Sequence, residues 1–230
     1  MSSAGTAIPR LSIVVPVLNE AAGIETCLEA LQDWRGSAEI IVVDGGSEDE
    51  TAALAAAGSD QLITSGAGRA RQMNAGAGAS RGEYLVFLHC DTRLGIEPGA
   101  MLRVLDRAPA WGFFRVRLSG GAAVFRVIEQ AMSLRSQLTM VATGDQCLFV
   151  SRSLWEACGG FAEIPLMEDV ELCKRLRRSA PPTVVSPPVV TSSRRWEQRG
   201  VARTVLLMWQ LRLRYWLGAD PQQLARLYRG

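Results

Sequence analysis

The chain has 230 residues, of which 48% are apolar and 21% charged, with a formal net charge of +2. That length buries the core of one domain, and the composition is that of a globular protein rather than a fibrous or disordered one. Five cysteines (Cys27, Cys90, Cys147, Cys158 and Cys173) are odd in number and form no CxxC pair. This excludes a disulfide framework and a structural zinc site, and fits free thiols in a reducing cytoplasm.

The opening MSSAGTAIPR has no charged-then-apolar targeting pattern. LSIVVPV (11–17) predicts a strand, followed by a helix from about Glu20 to Trp34. EIIVVDGG (39–46) predicts a second strand. SEDETAALAAAG then predicts a helix capped by Ser47, with acids in its first turn and Gly58 at its close. QLITS (61–65) is a short strand and GRARQMNAGAGAS a helix. EYLVFLHCD (83–91) is near-continuously apolar, the pattern of a strand covered on both faces. This alternation calls for a parallel sheet with crossover helices.

Beyond Asp91 a helix near 97–107 precedes GFFRVRL, whose alternating Phe114, Val116 and Leu118 predict a half-exposed strand. A helix near 122–140, a strand QCLFVSR and a helix starting at EDVELCKRLRRS follow. APPTVVSPPVVTSSRR holds four prolines, which favours an edge strand or an extended loop. Helices over about 200–217 and 220–228 end the chain. From Arg194 onward eight arginines face Glu197 and Asp220, a local charge of +6 that leaves −4 on the remainder. A basic tail on an acidic body suits an anionic contact: a membrane surface, a diphosphate or an acidic partner. VARTVLLMWQLRLRYWLG is too short and too charged to span a bilayer. Two readings of this helix stand, packing on the domain and docking on a membrane surface through Arg, Trp209 and Trp216.

Ligands of an open parallel sheet sit beyond the carboxyl ends of its strands. Asn19 and Glu20, Asp44, Arg69 and Arg71, and Asp91 all fall there. Turn chemistry alone accounts for any one of them, whereas the set points to a site. GAGASRG precedes a strand instead of opening a helix after the first one, and no GxxxxGK[ST] occurs. A dinucleotide-binding dehydrogenase and a Walker-type NTPase are therefore disfavoured.

LSIVVPVLNE, EIIVVDGGSEDET, GRARQMNAGAGASRGEYLVFLHCDTRL, GDQCLFVSRSLWEACGGF and MEDVELCKRL, in that order, resemble the blocks of family 2 glycosyltransferases with the GT-A fold. The likeness runs from about residue 10 to 200. It looks nearest to a bacterial subgroup named for arsenosugar biosynthesis or selenodomain association, which carries FLHxDTRL and a RRW tail. The resemblance implies an α/β GT-A domain (1–199) with a mostly parallel central sheet and a C-terminal helical extension (200–230) packed on it. It implies transfer, with inversion, of a sugar from a nucleotide-diphosphate donor to the hydroxyl of a small-molecule or lipid-linked acceptor. No nucleic-acid partner is implied.

By the same resemblance Pro16, Glu20 and Asp44 line the base and ribose pocket, Arg69 approaches the diphosphate, and Gln72 and Asn74 reach the nucleotide's other side. Asp91 would hold Mg²⁺ or Mn²⁺ bridging the phosphates. The family commonly has two acids here, and this chain has His89 in place of one. One carboxylate plus the diphosphate suffices for Mg²⁺, while imidazole ligation would favour Mn²⁺. His89 as a metal ligand and His89 as a hydrogen-bonding neighbour both stand. Glu168 and Asp169 are explained without catalysis as acids in a helix's first turn. The resemblance makes Asp169 the base that takes the acceptor's proton, with Glu168 its neighbour, a contribution of roughly 10²–10⁴-fold. Gly144, Asp145 and Gln146 would face the acceptor, although Asp145 equally suits a turn. In SSRRWEQRG, Arg195 and Trp196 would meet the diphosphate and acceptor, while the processive QxxRW pattern is absent. A nucleotidyltransferase and a binder without turnover are the competing readings.

Overall fold

The computed structural model describes residues 8–229; residues 1–7, which hold most of the stretch read as lacking a targeting pattern, and residue 230 lie outside them. In chain order the elements are β1 (Leu11–Val17), α1 (Ala21–Glu29), β2 (Ala38–Asp44), α2 (Thr51–Gly58), β3 (Gln61–Thr64), α3 (Arg69–Ala79), β4 (Tyr84–Phe87) and β5 (Thr92–Arg93). They continue with α4 (Pro98–Leu105), β6 (Trp111–Leu118), α5 (Ala123–Thr139), β7 (Leu148–Ser151), α6 (Arg152–Cys158), α7 (Glu168–Ser179), β8 (Thr183–Thr191), α8 (Arg194–Arg199), α9 (Val201–Trp216) and α10 (Pro221–Arg229).

One eight-stranded sheet runs in the order β3-β2-β1-β4-β7-β6-β8-β5. The first four strands are parallel, with Val17 opposite Asp44 and Asp44 opposite Thr64, so their carboxyl ends form one rim. β7 then enters antiparallel to both β4 and β6, β8 pairs parallel with β6, and β5 closes the edge antiparallel to β8. The fold is the expected α/β class, with a mixed rather than parallel second half.

Side chains alternate across each strand, and the apolar run of each central strand divides between two cores. Ile13, Val15, Ile40, Val42 and Val86 pack with Ile24 and Leu28 of α1 and with Met101 and Leu105 of α4. Val14, Ile41, Val43, Leu85 and Phe87 pack on the other face with Met73 and Ala77 of α3 and Leu172 and Leu176 of α7. Leu211 of α9 and Leu224 of α10 join this second core. Burying each such side chain contributes about 1.5–3 kcal/mol, which is why both faces must be covered.

Four local expectations are corrected. Ser47 does not cap α2, which starts at Thr51; its hydroxyl is used by Asp44 instead. The strand expected over 83–91 ends at Phe87, because the chain turns where Thr92 N–H donates to the carbonyl of His89 (3.0 Å). The strand expected from Gln146 begins at Leu148, since Gly144–Gln146 form a turn of 3-10 helix. The stretch read as extended through Arg195 leaves its strand at Thr191, and α8 begins at Arg194.

Candidate active site

The rim of the parallel strands is stitched by its own polar groups. Asp44 is buried and accepts from Gly46 N–H (3.1 Å), Ser47 N–H (3.0 Å) and Ser47 Oγ–H (2.5 Å). Asn19, held at a φ of 54°, donates its N–H to Ser47 Oγ (2.9 Å) and accepts from Glu48 N–H on its Oδ1 (2.9 Å). Glu20 N–H donates to Thr51 Oγ1 (2.8 Å). The loops after β1 and β2 therefore form one walled corner. Pro16 sits half-buried just inside it, opposite Val43. Burial raises the Glu20 carboxyl above its ordinary range, and the negative charge of Asp91 raises it further. Glu20 and Asp91 thus share a field across the rim.

A second cluster forms where α3, the β4–β5 turn, the 143–146 turn and the start of α7 meet. Met167, in the left-handed region at φ 72°, swings the chain so that α7 opens with Glu168 and Asp169. Glu168 is 3% exposed at its side chain and pairs with Arg69 (3.3 Å), the first residue of α3. Asp169 accepts from Gly144 N–H on Oδ2 (2.7 Å) and from Val170 N–H on Oδ1 (2.7 Å). Burial and the adjacent Glu168 push its carboxyl up to about 6. Arg69, His89, Gly144, Glu168 and Asp169 line a cavity of about 10 Å³, room for roughly one water.

His89 and Asp91 lie in a turn and not on a strand, so the shared strand face expected for them is absent. Asp91 is exposed. The His89 side chain is 16% exposed, and its Nδ1 is 3.9 Å from Asp145 Oδ1. Its ring packs so tightly on Gly144 that a Cβ there would collide with Cε1 and Nε2. Burial, with the charges of Arg69 and Arg195, lowers its pKa to about 3, so the imidazole is neutral at pH 7. Asp145 is raised by burial and by Asp91, and lowered by Arg69 and Arg195. Arg195, stacked over Tyr228 (4.7 Å to the ring centre), is itself lowered by burial and raised by Asp145. Asp145 therefore lies in the combined field of Asp91, Asp169, Arg69 and Arg195.

Four of the candidate residues have their polar or aromatic groups occupied elsewhere. Gln72 is buried, and its amide donates to the carbonyls of Val17 (2.7 Å) and Val43 (2.9 Å), clamping the ends of β1 and β2 together. Asn74 exchanges two hydrogen bonds with the backbone of Phe161 (both 2.9 Å), tying α3 to the GGF loop. Gln146 is fully buried, accepting from Ser136 Oγ–H (2.5 Å) and donating to the carbonyl of Phe114 (3.3 Å). Trp196 packs with Leu118, Phe125 and Ile128. A side-chain amide at a strand end suits a ligand or a backbone carbonyl equally well, and only the neighbouring strand decides which. Arg135 of α5 went unnoticed in the sequence. It reaches Gln146 Oε1 (3.3 Å) and lies in the field of Asp169 and Asp145, with its Nε buried and unpartnered. Its helical periodicity gave no signal of that.

Residues 12–117 match the family model Glycosyl transferase family 2. A PGL/p-HBAD biosynthesis glycosyltransferase of Mycobacterium bovis is 35% identical over 96 residues, 38% of this chain and 38% of that protein. The chain spans about a third of the length of the first curated relatives it matches. Among solved structures, S. aureus TarS 1–349 in complex with UDP-GlcNAc aligns over 80% of this chain and 58% of its own, at a TM-score of 0.64 and 19% identity. The mannosyltransferase PcManGT of Pyrobaculum calidifontis, in complex with GDP-Man and Mn²⁺, aligns over 81% of this chain and 57% of its own, at 0.61 and 22%. Identities this low speak to the fold, which these enzymes share with this chain.

Proposed function

We infer that this chain, a family 2 glycosyltransferase by its residues 12–117, moves a sugar from a nucleotide-diphosphate donor to an acceptor hydroxyl with inversion, using Asp169 as the base. The carrying observation is Asp169 itself. It is a carboxylate raised to about 6, oriented by two backbone N–H groups, on a small cavity shared with Arg69 and His89. A base poised near the working pH is what deprotonation of a neutral alcohol requires. The acceptor oxygen attacks the anomeric carbon as its proton passes to Asp169, and the anomeric C–O bond breaks with its electron pair leaving on the diphosphate. Arg69 stays half-exposed while paired to Glu168, and a guanidinium has five N–H donors, so some remain to face a phosphate. Pro16, Glu20 and Asp44 frame the corner suited to base and ribose.

Asp91 offers hard carboxylate oxygens of the kind that suit Mg²⁺ or Mn²⁺. Among the described residues no three His, Cys, Asp or Glu are placed to hold an ion together. Asp91, with Asp145 beside it, would hold such a cation, which when bound offsets the charge developing on the leaving group. His89, its nitrogens facing Gly144 and Asp145, serves as a wedge under the 143–146 turn.

We further propose that α9 rests on the cytoplasmic face of an anionic membrane. Leu206, Trp209, Leu213, Trp216 and Leu217 are 57–75% exposed at helical spacing, with Arg203 and Arg214 on the same helix. Among the described residues no helix is long and apolar enough to cross a membrane. The five free cysteines suit a reducing compartment.

The reading is tested by assaying the wild type and Asp169→Asn against UDP-, GDP- and dTDP-sugars with Mg²⁺ or Mn²⁺. Transfer from one donor is expected, with kcat lowered roughly 10²–10⁴-fold in the variant and nucleotide affinity kept. A variant as active as wild type removes Asp169 from the base role. Nucleotide binding with no transfer by the wild type selects the non-catalytic reading.

A further inference from the structure

A second cavity, of about 290 Å³, is lined by Asp91, Arg93, Ser119, Val190, Thr191 and Ser192. That is close to the lower limit of about 300 Å³ for small-molecule pockets. Strand register explains its charge. Arg93 of β5 lies opposite Val190 of β8, and Val190 lies opposite Arg117 of β6. Directly paired residues point to the same face of a sheet, so the two arginines flank Val190 in one row, two strand spacings or about 10 Å apart. The alternation from Phe114 to Leu118 turns Arg115 outward with Arg117. Their partners in the opposite row, Thr92, Thr191 and Leu118, are buried.

Among the described residues none of Arg93, Arg115 and Arg117 forms an ion pair, although Arg10, Arg35, Arg69, Arg71, Arg81, Arg126 and Arg175 do. Arg93 lines the cavity beside hydroxyls, and Arg117 stands in the same row across Val190; such a pair of guanidinium groups is matched by a phosphate, which they bind in two-pronged fashion. Asp91 lines this cavity and shares with Asp169 the field acting on Asp145, which sets the cavity near the base and suits it to an acceptor. We propose that this cavity is the acceptor subsite and that the acceptor carries a phosphate group held by Arg93 and Arg117. The proposal rests on the transferase reading, since only that reading supplies an acceptor.

Phosphate can come on a water-soluble molecule or on a lipid, and one experiment separates them. The full chain is titrated, in the presence of whichever of UDP, GDP or dTDP stabilises it, with glycerol 3-phosphate against glycerol. In parallel it is titrated with farnesyl phosphate against farnesol, each in neutral phosphatidylcholine vesicles. The phosphorylated member of at least one pair is expected to bind tenfold or more tighter. Preference in the first pair assigns a soluble acceptor, and preference in the second a lipid one. Arg93→Gln with Arg117→Gln is expected to abolish the preference, and Arg93→Lys with Arg117→Lys to keep most of it. All four changes are on exposed side chains, so the thermal midpoint is expected to hold. No preference in either pair, or a preference that survives the glutamine variant, overturns the proposal. Failure of all three nucleotides to bind the wild type would instead sink the transferase reading, while the phosphate preference is still read without nucleotide.

Discussion

Burial raises the Asp169 carboxyl most and Glu168 raises it further, while the N–H donors of Gly144 and Val170, and then Arg69, lower it. A base must be deprotonated, so kcat/KM is expected to rise with pH up to about 6 and then flatten. Glu168→Gln removes the raising charge, and its acid limb is expected to move to lower pH than in wild type. A limb that stays put would show that Glu168 acts on Asp169 through packing alone. The residue types at this site were legible in the sequence, because acids after a strand or at a helix start stand out from an apolar background. Their partners were not. Nothing in the chain near Asp169 names Gly144, 25 residues away, as its donor. Nothing near His89 says that its ring abuts that same glycine.

Among the elements, the carboxyl ends of β1 and β2 are tied to α3 by a single side-chain amide, that of Gln72. Gln72→Leu removes a buried donor from the carbonyls of Val17 and Val43, of which Val17 keeps Gly45 N–H (2.9 Å), a loss of about 1–3 kcal/mol. Chemical denaturation is expected to report that loss, with nucleotide affinity per folded molecule unchanged; a lost affinity at full stability would return Gln72 to the nucleotide pocket. The helices and parallel strands of the first half follow from local period, since each apolar run is bounded by its own turn residues. The places where periodicity misled are those where a side chain found a distant use. Ser47 serves Asp44 rather than a helix end, and the apolar run through Leu88 outlasts its strand because the chain turns at His89.

For the whole molecule, the proposed membrane contact rests on the exposed stripe of α9. Co-sedimentation with vesicles containing anionic lipid is expected to fall at least fivefold for Trp209→Ser with Trp216→Ser, and to weaken with salt for the wild type. Equal pelleting of variant and wild type would remove α9 from that role. The stripe was visible as composition, but α9 reads as apolar nearly all round. Only its packing shows that Leu211 enters the core while Trp209 and Trp216 stay outside.

The sequence alone determined the four strand–helix units, the rim on which their polar residues collect, and the helix that opens with two acids. Each rests on short-range period and turn chemistry. The tertiary structure decided that β7 inserts between β4 and β6, which amides became clamps, and that Arg93 and Arg117 share a row. Those outcomes depend on strand order and register, which are set by packing between segments far apart in the chain and leave no mark within any one of them.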